Sequence, residues 1–162
     1  MSTNYKSGFN AVLIVMLAGL LSVGCSWKDK TISVDDDDVE MNAAIATARA
    51  TLPEFWATFE RKSPTDSAFA LKVKIQDERG TEHFWLTSIE RRNGRIFGTI
   101  DNNPNIVRSV KLGDRIPIPE ADISDWLYQR GDKMVGNFTL RALFKQMPAE
   151  EVKRFKAIMA DP

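Results

Sequence analysis

The tetrapeptide Glu82-His83-Phe84-Trp85 contains the only histidine of the 162-residue chain. An imidazole beside a carboxylate can move protons near neutral pH, so His83 with Glu82 or Asp125 would suit the general-base chemistry of a small hydrolase or transferase. A Ser-His-Asp set can also be written from Ser88 or Ser124, His83 and Asp125, but no Gly-x-Ser-x-Gly elbow accompanies it. Catalytic zinc takes three protein ligands, and one histidine with one cysteine, Cys25, does not supply them. No metal and no other cofactor is expected. A lone histidine in a strand is more often a hydrogen-bonded structural residue, and contact with a ligand is a third reading.

Other groups invite a chemical and a plain reading side by side. Gly98, Asn102 and Pro104 shape a corner, the glycine allowing close approach of another chain and the asparagine closing its own turn. Asp125-Trp126 with Tyr128 either packs and caps, or lines a concave face that takes a peptide or sugar by stacking and hydrogen bonding. Arg91, Arg92 and Arg95 flank one turn and form a solvated tip or a contact for anionic headgroups. The run of carboxylates at residues 35–38 lacks the spaced acids and central glycine of a calcium loop, so it is read as a helix start, with Asp37 and Glu40 at capping-box spacing. Asn137-Phe138-Thr139 matches a glycosylation sequon, which carries no weight beside a bacterial export signal.

Cys25 belongs to such a signal. Lys6 precedes an uncharged apolar stretch, residues 11–21, and Ser22-Val23-Gly24 places small residues directly before the cysteine. That stretch is shorter than the roughly 20 residues of a transmembrane helix, and a buried core helix is disfavoured because residues 12–21 are apolar all round, with no polar face to meet water. The pattern predicts a lipoprotein signal at residues 1–24, acylation of Cys25, an acidic tether at residues 25–38, and a domain that faces the periplasm from its lipid anchor. By resemblance to the bacterial sorting rule, Ser26 favours the outer membrane if the cell is Gram-negative.

Removal of residues 1–24 takes one basic side chain, Lys6, leaving 21 against 22 acidic ones. A net charge of about −1 argues against a nucleic-acid partner, which requires a strong positive field. With Cys25 acylated no thiol remains for a disulfide, so the apolar core alone must hold the domain. The 138 residues that remain are enough for one.

The positioning elements follow from periodicity. A helix is expected from Glu40 to about Ala50, a bend at Pro53, and a second helical stretch to about Arg61, with Thr51 and Glu54 as its capping box. Phe69, Leu71, Val73 and Ile75 then alternate with Ala70, Lys72, Lys74 and Gln76, predicting a strand with one wet face. Residues 82–90 form a second strand, with Phe84 and Leu86 opposite Trp85 and Ile89. Asn93-Gly94 predicts a tight hairpin to residues 95–100. Shorter strands are expected at residues 106–112 and 115–118, the latter held to an edge by Pro117 and Pro119. Thr139 caps a turn carrying Leu140, Leu143, Phe144 and Met147, and Pro148 opens a last helix that turns Val152, Phe155 and Met159 inward. The order predicts a single α+β domain at residues 39–162: a small antiparallel sheet of four to five strands, with an N-terminal helix and C-terminal helices packed against it.

Taken together, Ala48-Arg49, Leu52-Pro53-Glu54-Phe55, residues 69–73, Glu82-His83-Phe84-Trp85-Leu86, residues 98–104, residues 111–114, residues 123–128 and residues 136–141 resemble the bacterial family DUF2314, a domain of unknown function, over about residues 43–146. The resemblance implies one compact domain and a shared signature of Glu82, His83, Trp85, Asn102, Asp125, Trp126 and Arg141, which forms a ligand pocket or the framework of the fold. It brings no catalytic residues. The leading expectation is a non-enzymatic binding module, held at the membrane by its lipid, for a protein, peptide or envelope component. The hydrolase or transferase built on His83 is the alternative, and an immunity-type protein is a special case of binding.

Overall fold

Local signals set the first layer. In the computed structural model, which describes residues 10–15, 30–35 and 38–160, helix α1 spans Val39–Ala50 and α2 spans Leu52–Arg61. Pro53 sits in the first turn of α2, where its missing N–H has no intrahelical partner to lose. Asp38 caps α1, its carboxylate accepting from the Met41 N–H at 2.8 Å; the expected cap, Asp37, lies outside the described residues. Thr51 opens α2 without capping it. Its hydroxyl donates back to the Thr47 carbonyl at 2.8 Å, the nearer acceptor for a threonine at a junction between two helices.

Beyond α2, strands β3 (Asp66–Asp77), β4 (Gly80–Arg92) and β5 (Arg95–Ile100) form an antiparallel meander. Asn93 and Gly94, at φ 51° and 71°, supply the left-handed pair that the tight turn requires. The remaining elements are β6 (Arg115–Ile118), β7 (Ile123–Arg130), β8 (Lys133–Gly136), α3 (Phe138–Ala142) and α4 (Ala149–Ile158). β7 adds to β3, β8 to β7, and β6 to β5, all antiparallel. Two strands precede α1: β1 (Asn10–Val15) and β2 (Lys30–Asp35) pair with each other, and β1 lies parallel to β4 at Glu82 and His83. β1 falls within the expected signal segment and β2 within the expected tether, while Cys25 and Ser26 lie outside the described residues.

The α+β class with an antiparallel sheet holds, but the strand count does not. Six strands of the expected domain, β3 to β8, replace the four to five expected, and through the parallel β1–β4 pairing β1 and β2 join them in one sheet of eight among the described residues. Residues 123–128 are all buried and show no alternation, so periodicity conceals β7. Residues 106–112, expected as a strand, form none. Their amides are taken by carboxylates instead: Asp77 Oδ2 accepts from the N–H groups of Arg108 and Ser109 at 2.6 and 3.1 Å, and Asp114 Oδ2 from Lys111 at 2.9 Å.

Both faces of the sheet are covered. Leu71, Val73, Phe84, Leu86, Trp126 and Tyr128 pack against Ala48, Leu52, Phe55 and Trp56 of α1 and α2. On the other face Ala70, Trp85, Leu127 and Met134 meet Leu140, Phe144, Phe155 and Met159 from the C-terminal helices. The expected wet face of β3 is therefore wrong at Ala70 and Lys72, which the C-terminal layer buries. Ile89, expected beside Trp85, packs with the first core instead. A register shift between Thr87 and Glu90, with Ser88 at φ 49°, reverses the alternation before it. Gly98 does serve close approach: a Cβ there would stand 3.0 Å from Ile118, Ile89 and Leu86.

Candidate functional site

Each residue of the expected signature has a defined place, and six of the seven are buried: Glu82, His83, Trp85, Asn102, Asp125 and Trp126. Arg141 is half-buried, and its Nη2 donates to the Ala160 carbonyl at 2.6 Å, tying the segment after α4 to α3. Trp126 donates from Nε1 to the Ala48 carbonyl at 2.9 Å, fastening β7 to α1 from inside the core. Asn102 does not close its own turn. Its Oδ1 accepts from the Trp85 N–H at 2.9 Å, extending the edge of β4 with a side chain.

Glu82, wholly enclosed, gathers three successive amides. Its carboxylate accepts from the N–H groups of Asn105 and Ile106, each at 3.0 Å, and of Val107 at 3.3 Å. A buried anion surrounded by backbone donors needs no ligand to satisfy it.

Asp125 does the same for α3. Its oxygens accept from the amides of Trp126 (2.8 Å), Phe138 (3.2 Å) and Thr139 (2.8 Å), and from the Thr139 hydroxyl at 2.6 Å. That hydroxyl in turn accepts from Lys72 Nζ at 2.7 Å, and the ammonium stands 4.6 Å from the centre of the Trp85 ring. Burial pushes Lys72 down to about 8 and raises Asp125, while each charge holds the other partly in its ionised form. The result is a cation, a hydroxyl and a carboxylate in series inside the C-terminal layer.

His83 reaches Ser124 and not an acid. Nδ1 lies 2.8 Å from Ser124 Oγ, whose hydroxyl donates to the Lys72 carbonyl at 3.3 Å, assigning the ring proton to Nδ1. Burial, with the charges of Lys72, Lys74 and Arg49 adding to it, lowers the imidazole to about 3, so it is neutral at physiological pH. The paper triad is two-thirds assembled. Its serine and histidine are 1% and 6% exposed, and the Asp125 oxygens are directed at α3. Among the described residues no three His, Cys, Asp or Glu side chains gather as a metal site.

Reachable surface lies elsewhere. The β3–β4 ladder ends at the pair Leu71–Leu86, after which β3 continues along β7 and β4 along β5. The parted strands leave a slot of about 350 Å3 that passes between the two cores, with Phe59, Phe69 and Ile89 from one side and Ala70, Trp85 and Leu127 from the other. Left-handed Ala68 (φ 49°) and Ser88 stand on its opposite rims. Nearby, Arg91 pairs with Glu60 at 3.2 Å and covers the Trp56 ring, and Arg115 pairs with Glu90 at 2.5 Å. Arg91 of the hairpin tip and Arg115 of β6 are thus held by the protein's own acids.

Residues 38–160 match the model of a bacterial family described as an uncharacterized protein conserved in bacteria, DUF2314. The chain belongs to the DUF2314 family. It is similar to the uncharacterized protein YegJ of Escherichia coli (strain K12), 38% identical over 129 residues that make up 80% of this chain and 83% of that one. It is also similar to a putative ankyrin repeat protein, NMB1133/NMB1171, of Neisseria meningitidis serogroup B (strain ATCC BAA-335 / MC58), 30% identical over 126 residues. Those residues are 73% of this chain and 50% of the Neisseria protein, so the chain spans about half the length of that relative. No solved structure gives a significant match.

Within this DUF2314 chain, Lys72 and Arg49 were not among the candidate site residues of the sequence, while Ser124 was expected only as the nucleophile of a triad and Thr139 only as a cap. Arg49 donates to the carbonyls of Ile123 and Ala121, each at 2.9 Å, and so completes the attachment of α1 to β7. Lys72 had no signal as a core residue, because it sits where the alternation demands a solvated side chain. Thr139 did, as the expected cap of a turn, but its hydroxyl serves Asp125 and the cap position of α3 is Asn137.

Proposed function

We propose that this DUF2314 protein is a lipid-anchored component of the bacterial envelope that works as a non-enzymatic binding module for a protein, peptide or envelope component. The observation that carries the reading is the enclosure of the catalytic candidates. Glu82, His83 and Asp125 are buried, bonded to different partners, and directed at backbone amides or at Ser124. Proton transfer to a substrate requires hydrogen-bond reach of it, and none of the three offers that. What meets solvent is apolar slot, arginine tip and mixed charge, which suits recognition better than chemistry. The anchor rests on Lys6, the apolar residues 11–21 and Cys25. Among the described residues no helix is long and apolar enough to cross a membrane.

Two measurements test the reading. Mass spectrometry of the protein isolated from cells is expected to find a diacyl or triacyl Cys25 at the N-terminus, and an unmodified chain starting at Met1 would overturn the anchor. Cross-linking in intact cells is expected to yield a discrete envelope partner for the full chain and to lose it for Cys25→Ser. Absence of any discrete partner, with the protein folded and abundant, would overturn the binding role.

A further inference from the structure

We propose that the end of the β4–β5 hairpin docks onto anionic phospholipid headgroups, with Arg92 and Arg95 together clamping a lipid phosphate. The inference rests on the lipid-anchored reading and gives the domain a second contact with the surface that holds it.

Register builds the site. Arg92 and Arg95 stand directly opposite each other across the Asn93-Gly94 turn, and Glu90 stands opposite Phe97. Alternate residues of a strand share a face, so these four side chains lie together on one side of the hairpin. Arg115 joins them from β6, its guanidinium 5.9 Å from the centre of the Phe97 ring. With Asn93 they line a shallow hollow of about 590 Å3. Arg91 belongs to the other face, where Glu60 and the Trp56 ring occupy it.

Charge then selects the occupant. Glu90 pairs with Arg115, which leaves Arg92 and Arg95 exposed, and among the described residues no acid pairs with either. Like charges directly opposite on a hairpin repel, and their Cβ atoms are only about 5 Å apart. Both guanidinium forks therefore reach a single anion placed between them, and the parallel N–H donors of each fit the oxygens of a phosphate. An anion from outside the chain removes the repulsion that the fold itself leaves in place. Phe97, half-buried beside the pair, offers a ring to the carbon part of a headgroup.

The hollow suits a lipid surface better than an acidic protein. A stable protein interface needs about 800 Å2 on each side with an apolar centre, and this hairpin end offers one aromatic ring among charges. An anionic bilayer presents phosphate groups densely and demands no matching shape. Acyl chains on Cys25 would hold the domain beside that bilayer, so a weak contact at high local concentration is enough to orient it.

The full chain isolated from cells, held in neutral maltoside micelles, is titrated with dihexanoylphosphatidylglycerol, with inorganic phosphate and with hexa-aspartate, and followed by NMR at the arginine Nε–H groups. The lipid is expected to give saturable shifts at Arg92 and Arg95, with each of the other anions at least tenfold weaker. Joint Arg92→Gln and Arg95→Gln substitution is expected to abolish the hairpin response, read at the Phe97 amide, and Arg91→Gln to leave it unchanged. No saturable shift, or shifts confined to other arginines, would overturn the site. Inorganic phosphate binding as tightly as the lipid would make the ligand a free anion, and tightest binding of hexa-aspartate would make it an acidic peptide; either overturns the membrane assignment. Acylated Cys25 with a silent hairpin would remove the second contact and leave the anchor standing.

Discussion

The Thr139 hydroxyl bridges a buried cation and a buried anion, Lys72 and Asp125, so Thr139 is the sharpest residue to alter. Thr139→Val keeps the shape while removing one acceptor from Lys72 and one donor from Asp125. Unfolding in urea is expected to show a loss of about 2–3 kcal/mol, because two buried polar groups each lose a partner. Thr139→Ser is expected to restore most of it. His83 makes a second, pH-dependent statement. Its folded value of about 3 lies below the ordinary 6.5, so between those values the unfolded chain takes up a proton that the folded one refuses. Stability contributed by the neutral ring is present above about pH 6.5 and lost as pH falls toward 3, at about 1.4 kcal/mol per pH unit. Urea midpoints from pH 7 to pH 4 are expected to fall more steeply for the native chain than for His83→Gln. Equal slopes would mean that the ring is not held neutral.

Strands and loops show the same economy of carboxylates. The segment after β5 has the alternating residues of a strand, yet Glu82 and Asp77 fold it into a loop by collecting five of its amides in succession, from Asn105 to Ser109. Glu82→Gln presents one acceptor where two were used and turns a donor toward backbone N–H groups. A cost of about 2 kcal/mol is expected, of the size for hydrogen bonds to a charged group. The readout is hydrogen exchange: amides 105–107 are expected to exchange faster while those of β7 keep their protection. Uniform acceleration over the whole sheet would mean that the loop and the sheet open together. Gly136 marks a different kind of constraint, since a Cβ there would stand 2.3 Å from the Trp126 carbonyl oxygen. The strand pair β7–β8 can close over Trp126 only with a glycine at that position.

For the molecule as a whole, the described side chains, those of residues 38–160, form two apolar cores, a smaller cluster around Met41 and Leu143, and the buried polar series, and the family match covers the same stretch. A chain of residues 38–160 is therefore expected to unfold in one transition, within about 5 °C of a chain of residues 26–162, measured by circular dichroism on heating. A drop well beyond that would make β2 part of the folding unit. Local sequence determined much of this protein: the helix restart around Thr51 and Pro53, the acidic cap at the start of α1, the β3–β5 meander with its Asn-Gly turn, and the last helix after Pro148, because each depends on residues within a turn or two of one another, while family membership was legible from segments spread along the chain. Tertiary structure alone decided the fate of the chemistry. β7 was hidden because both of its faces are covered, residues 106–112 left the sheet because carboxylates distant in the chain took their amides, and Lys72 went inside because a helical layer from the C-terminus came to cover it. His83 and Asp125 look like an acid–base pair in one dimension. Each met a different partner in three dimensions, since a polar group sealed from water must bond to whatever the fold brings within reach.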